Sequence, residues 1–277
     1  MKQLEAEFQE AIVRLRDENR SEQPVRQTEA MLWEFYDLLG VVGVNRLADV
    51  TPGQCGAYLY RVTARGAPPA ENTVVNRRVT LRGLFKPMRD ISGTDPSTRV
   101  DPVPSRPTPS IRALTDQEMA VAQQVAAPGV SESRVALAQA CISSGEVCDV
   151  QVRALDDLNE PTLVRRPGRQ GGPEREHLLT DWGRVVLGQR VRDLDGSPDA
   201  LLAYMGRGGP GSSARRSSAS KDLAKVLGLA GLRSDESVMP KSITYWGAVR
   251  CLGLGATIGE VAYLLGVKED NLPRILR

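Results

Sequence analysis

The run Asp101-Pro-Val-Pro-Ser-Arg-Pro-Thr-Pro-Ser110 limits this fold more than any other feature, with four prolines in ten residues. Proline fixes φ, lacks an N–H and disfavours helix at the residue before it, so neither a helix nor an interior strand can run through it. A stiff, extended linker over 101–112 is therefore expected, joining globular segments at 1–100 and 113–277. The 277 residues, 41% hydrophobic and 25% charged, suffice for two cores and are too apolar for a disordered chain. No apolar run approaches the roughly 18 residues that span a bilayer. The first twenty residues mix both signs of charge, unlike a signal peptide, so no membrane association is expected.

Charge and cysteine usage exclude further classes. Lys plus Arg number 36 against 34 Asp plus Glu, a net charge of +2. That rules out a polybasic protein but allows a nucleic-acid binder, which needs a basic face and not a basic total. Cys55, Cys141, Cys148 and Cys251 form no CxxC pair and read as free thiols in a reducing compartment. With His177 as the single histidine, a zinc site would rest on carboxylates, so neither a metal nor another cofactor is expected. The expected location is the cytoplasm, in association with the nucleoid.

Periodicity makes the N-terminal segment helical. Leu4, Phe8, Ile12 and Leu15 share one helix face, and Met31, Leu32, Phe35, Leu38 and Leu39 share another. Thr51-Pro-Gly-Gln54 is a capping box that opens a helix burying Cys55, Tyr58, Leu59 and Val62. A fourth helix is expected over about 73–90. The C-terminal segment is mixed. Thr115-Asp-Gln-Glu118 is a second capping box before Met119, Ala122 and Val125, and a helix follows over about 132–143. Thr162–Arg165 and Glu176–Leu179 flank a turn-rich stretch and read as a β-hairpin. Helices are expected over about 180–194, 197–204, 219–229, 241–253, 257–265 and 268–276, with a basic loop over 205–219.

The fourth helix carries the strongest binding signal. Arg78, Arg82, Lys86 and Arg89 recur at helical spacing with Arg77 beside them, while Val75, Val79, Leu81, Leu84, Phe85 and Met88 fill the rest. From 61 to 90 there are seven basic residues (Arg61, Arg65, Arg77, Arg78, Arg82, Lys86, Arg89) against Glu71 and Asp90. One basic and one apolar face suit a duplex groove, where each neutralised phosphate releases counterions. A solvated face usually intersperses both signs. The hairpin is the second basic place: Arg165, Arg166, Arg169 and Arg175 surround its turn, offset by Glu174 and Glu176. It reads either as a groove contact or as an exposed tip of mixed charge. Gly168-Arg-Gln-Gly-Gly172 lacks the phosphate-loop pattern, Ser143-Ser-Gly145 lacks a nucleophile-elbow frame, and His177 on an expected strand reads as structural.

Element order supplies a resemblance over about 25–277. A four-helix segment and a proline-rich linker lead to Arg112-Ala-Leu-Thr-Asp-Gln-Glu118, a Gly turn and Val152-Arg-Ala-Leu-Asp-Asp-Leu158. A basic hairpin and a helical tail with Ala262-Tyr-Leu-Leu-Gly266 follow. This resembles tyrosine recombinases of the phage-integrase type. The resemblance implies a mainly α fold: a SAM-like four-helix DNA-binding domain, then an α+β catalytic-fold domain with a small β-hairpin, the two forming a C-shaped clamp on double-stranded DNA.

The same resemblance locates the catalytic positions, and this chain departs from the family at each of them. The family cleaves DNA with a tyrosine, helped by two arginines, a hairpin lysine and two His/Trp-type residues. In the turn Ser144-Gly-Glu-Val-Cys-Asp149, Glu146 stands where the first arginine belongs. Lys241 and Thr244 replace the histidine and arginine of H-x-x-R, and Val267 replaces the next histidine. The nucleophile falls near Leu276, the hairpin lysine has only Arg166 or Arg169 in its place, and no tyrosine follows Tyr263. Together these imply an inactive site and no enzyme activity.

Three readings follow. The first is an inactive recombinase-like DNA-binding protein, accessory, architectural or regulatory in recombination or mobile-element control, with an active recombinase as a partner. The second is a transcriptional regulator using the same scaffold or a C-terminal helix-turn-helix over Thr257–Arg277. The third is an interaction module without DNA binding. The C-terminal segment could also mediate self-association, as it does in the family.

Overall fold

The computed structural model describes residues 2–18, 22–63, 66–100, 110–168 and 172–272, so the proline-rich run at 101–109 lies outside them. Two compact units divide the chain, Met1–Pro107 and Thr108–Arg277.

Unit 1 is built on α1 (Lys2–Glu18), α2 (Glu22–Val41), α3 (Pro52–Leu59) and α4 (Glu71–Ser92). Their apolar stripes converge on one core of Phe8, Leu32, Phe35, Leu39, Tyr58, Leu81 and Phe85. The Phe35 and Tyr58 rings meet at 4.9 Å, and the Tyr58 hydroxyl donates to the Met31 carbonyl at 2.6 Å. Thr51 and Gln54 cap α3 reciprocally, as their spacing requires. The helix ends at Leu59, so Val62 lies beyond it and is exposed rather than buried. On α4, Val75 and Val79 are likewise exposed, because the core takes only the Val74–Leu81–Leu84–Phe85 side.

Unit 2 is organised around α6 (Val130–Gln139), whose residues from Ser133 to Gln139 are all buried. Its small side chains, Ser133, Ala136 and Ala138, let neighbours approach on every side. Around it pack α7 (Asp181–Asp193), α8 (Ser213–Leu229) and α9 (Lys241–Gly253). At Gly247 of α9 the packing is so close that a Cβ would stand 2.1 Å from the Gln139 carbonyl oxygen. Only glycine fits there. α5 (Asp116–Val125) and α10 (Ile258–Leu265) complete the helices, opened by the capping boxes Thr115/Glu118 and Thr257/Glu260.

The hairpin pairs β1 (Leu163–Arg166) with β2 (Arg175–Leu178) in antiparallel register: Leu163 opposite Leu178, Val164 opposite His177, Arg165 opposite Glu176, Arg166 opposite Arg175. Its pattern is inverted relative to simple hydrophobicity. Arg175 and His177 point inward and are buried, while Leu178 is exposed.

Four expected elements differ. The helix expected over about 132–143 runs from Val130 to Gln139, because Cys141 leaves it in a left-handed conformation. Residues 197–204 form turns, because this stretch pairs with 150–153: Val152 N–H bonds Ala200 O, and Leu202 N–H bonds Val150 O. The second half of the expected 205–219 loop is helix, since Ser212 caps α8 from Ser213 onward. The last expected helix begins as a single turn at Glu269–Asn271, and residues 273–277 are outside the described ones. Among the described residues no helix is long and apolar enough to cross a membrane.

Candidate functional site

On α4 the exposed residues include Val75, Val79, Arg82, Lys86 and Arg89, spaced to share one stripe of the helix. Arg82 and Lys86 stand one turn apart. Arg89 is held in part by acids, 3.5 Å from Asp95 Oδ2 and 3.8 Å from Asp90 Oδ1. Arg78 is half-buried at the edge of the stripe. Arg77 does not belong to it. Only 5% exposed, it donates to the carbonyls of Tyr58 and Arg61 at 3.2 and 2.8 Å, and pairs with Glu34 at 3.5 Å. It also lies over the Tyr58 ring at 5.1 Å. Its role is to close the C-terminus of α3 onto α4, because the last carbonyls of a helix need donors.

In unit 2 the hairpin arginines separate. Arg165 is exposed and pairs with Glu176 at 3.3 Å. Arg166 is half-buried and donates to the Asp149 carbonyl at 3.1 Å, and burial lowers its pKa. Arg169 lies outside the described residues. Arg175, expected at a basic hairpin tip, is instead 2% exposed, because strand alternation turns it inward with His177.

The residue that meets Arg175 is Glu146. Its carboxylate accepts from Arg175 Nη2 and from Ser143 Oγ, the latter at 2.7 Å. Arg175 Nη1 donates onward to the Leu264 carbonyl on α10 at 3.1 Å. The 143–149 turn, β2 and α10 are thus tied through one buried guanidinium. Three residues along, Asp149 accepts from Arg215 Nη1 at 2.6 Å, and Arg215 packs over the Tyr204 ring at 5.2 Å. Lys241 and Thr244 stand on the first turn of α9, the lysine exposed and the threonine buried. Val267 packs on the small core that holds α10, and Leu276 lies outside the described residues. Tyr263 donates its hydroxyl to the Pro173 carbonyl.

His177 is fully buried. Its Nδ1–H donates to the Ala140 carbonyl at 2.8 Å, and burial pushes its pKa down to about 4. It holds the hairpin against the end of α6 as a neutral ring.

Sequence reading missed the inward arginines. Arg134 is one, donating to Ala203 O at 3.0 Å and Ser218 Oγ at 2.8 Å and pairing with Asp222 at 3.3 Å. A charge directly before the apolar run Val135-Ala-Leu-Ala138 on α6 was a usable signal. Arg175 and Arg215 offered none, since their acids lie 29 and 66 residues away.

No family profile matches the chain, and no curated protein matches its sequence. Solved structures do. The chain is similar to a lambda integrase tetramer bound to a Holliday junction, with TM-score 0.65 and 14% identity, covering 99% of this chain and 77% of that one. It is similar to the XerH site-specific recombinase bound to a palindromic difH substrate, with TM-score 0.62 and 14% identity over 91% and 75% of the two chains. For the Tn1549 transposon integrase in complex with a circular intermediate DNA, the TM-score is 0.59 and the identity 13% over 98% and 95%. At such identity the likeness is one of architecture, and the chain has the fold of the tyrosine recombinases.

Proposed function

We propose that this chain is a DNA-binding protein of the recombinase fold that takes part in recombination without cutting DNA itself. Its role is accessory, architectural or regulatory, in recombination or in control of a mobile element. The observation that carries the reading is the Glu146–Arg175 pair. At the position where the resemblance expects an arginine, the chain has a carboxylate whose charge is spent on holding a buried guanidinium. A carboxylate facing a scissile phosphate repels it, and each missing donor to a phosphorane-like transition state costs about 3 kcal/mol in comparable sites. Thr244, in place of the second arginine, brings no charge.

DNA binding rests on two supports. The similar lambda integrase and XerH structures are bound to DNA. The exposed stripe of α4 offers Arg82 and Lys86 to phosphates, with Val75 and Val79 placed for apolar contact at sugars or thymine methyls. The proposal includes self-association on DNA, since the lambda integrase is seen as a dimer and as a tetramer.

The test is duplex binding across salt concentrations, with a suicide-substrate trap run in parallel. The double variant Arg82→Ala/Lys86→Ala should bind every duplex more weakly, with a salt slope shallower by about 0.9 for each phosphate no longer neutralised. The core residues Leu81, Leu84 and Phe85 are untouched, so the variant should fold. An unchanged affinity and slope would move the surface away from α4, first to Arg165. A covalent protein–DNA adduct in the trap would overturn the non-cutting part of the reading.

A further inference from the structure

We propose that Cys141 and Cys251 are a redox-active pair that closes to a disulfide when a peroxide reaches Cys251. The geometry begins at the end of α6. Cys141 N–H bonds Ala138 O and Ile142 N–H bonds Leu137 O, the double closure that normally places glycine in a left-handed conformation. Here a cysteine takes that conformation, with φ at +64°. A residue with a Cβ is strained there where glycine would not be. The thiol is therefore held at a position that local backbone preference opposes.

The partner comes from α9. Gly247 and Cys251 lie one turn apart on the same side of that helix. The Cys141 sulfur stands 3.2 Å from the point a Cβ on Gly247 would occupy, so the absent side chain is what lets this side of α9 close on Cys141. One turn further along, Cys251 packs against the small cluster in which Cys141 is buried. The two sulfurs differ in access. Cys141 is buried, whereas Cys251 is half-exposed and borders an open cavity of about 590 Å³ that Leu178, Leu254 and Tyr263 also line.

They also differ in acidity. The Cys141 thiol and the Arg250 cation draw the Cys251 pKa down against the opposing effect of burial, while Cys141 is raised. Because a peroxide can reach only the half-exposed sulfur of the two, Cys251 is the nucleophile and Cys141 the resolving thiol. Burial pushes Cys55 up to about 12 and also raises Cys148, which leaves both unreactive.

The chemistry balances with one peroxide. The Cys251 thiolate attacks a peroxide oxygen; an S–O bond forms, the O–O bond breaks and hydroxide leaves, giving a sulfenic acid. The Cys141 sulfur then attacks the Cys251 sulfur. The S–O bond breaks, and the departing hydroxide takes the Cys141 proton as water. Two thiols are oxidised by two electrons and the peroxide is reduced. The product ties α9 covalently to the end of α6.

The experiment treats the full chain with graded hydrogen peroxide, blocks remaining thiols, and maps peptides by mass spectrometry without reduction. The expected result is a cross-linked Cys141–Cys251 peptide, a fall from four titratable thiols to two, and full reversal by dithiothreitol. In Cys141→Ser, Cys251 should pass on to sulfinic acid at the same dose. In Cys251→Ser, residue 141 should stay reduced. Three outcomes on the unaltered chain would overturn the proposal, whatever the variants do. They are oxidation of Cys55 or Cys148 first, over-oxidation of Cys251 with Cys141 still alkylatable, and no reaction at doses that oxidise glutathione.

Discussion

Glu146 illustrates how a single side chain can read one way in a sequence and carry a second meaning in a fold. As a letter in a turn it is a departure from a family pattern. In three dimensions it neutralises Arg175, which is nearly sealed from solvent and also donates to Leu264 O. Removing one partner of a buried ion pair leaves an uncompensated charge, typically a loss of about 3–5 kcal/mol. Glu146→Arg, which places there the arginine that the resemblance expects, should therefore destabilise unit 2 by at least about 3 kcal/mol in urea unfolding and yield no cleavage. A stable, cleaving variant would show that the turn tolerates both chemistries. His177 gives a second prediction. The unfolded chain protonates this residue near pH 6.5 and the folded chain only near pH 4, so the unfolded state binds more protons between them. Stability should fall as pH drops from about 6.5 to 4, by roughly 3 kcal/mol in all, and no further through this group below that. Urea midpoints across that range should flatten in His177→Gln; identical slopes in both proteins would assign the acid sensitivity elsewhere.

At the scale of elements, legibility followed whether the cause is local. The capping boxes at Thr51, Thr115 and Thr257 are local, and all three open helices where their spacing places them. The stretch 197–204 has helix-compatible residues but is claimed by backbone partners at 150–153, nearly fifty positions earlier, which no window of sequence displays. The inward arginines are the same case: Arg77, Arg175 and Arg215 are buried because distant carbonyls and carboxylates need donors. Basic spacing on α4 was thus legible, but which of its charges faces solvent was not. Gly247 makes the element-scale prediction. Alanine there would drive a methyl group into the Gln139 carbonyl, and the two helices can separate only by opening the core. Gly247→Ala should cost about 3 kcal/mol, while Gly253→Ala, at a site with open space, should be nearly neutral or slightly stabilising. Equal thermal midpoints for the two variants would contradict the close packing.

For the whole molecule, the two units own separate cores: that of unit 1 draws only on residues from Leu4 to Val100, and those of unit 2 begin at Leu114. Expressed separately, 1–107 and 108–277 should each unfold cooperatively, with transitions matching those of the intact chain. A fragment that is molten or aggregates would show that one unit needs the other. Within unit 2, α6 has no solvent-facing side from Ser133 to Gln139 and touches α7, α8 and α9 at once. Its amides have no local route to water, because fraying any one neighbour still leaves two in place. Deuterium should enter this helix only when the entire unit opens, so the slowest-exchanging amides, around Leu137, report the global unfolding free energy directly. One buried helix thereby serves as an internal gauge, against which ligand, DNA or oxidant effects on this half of the protein can be measured residue by residue.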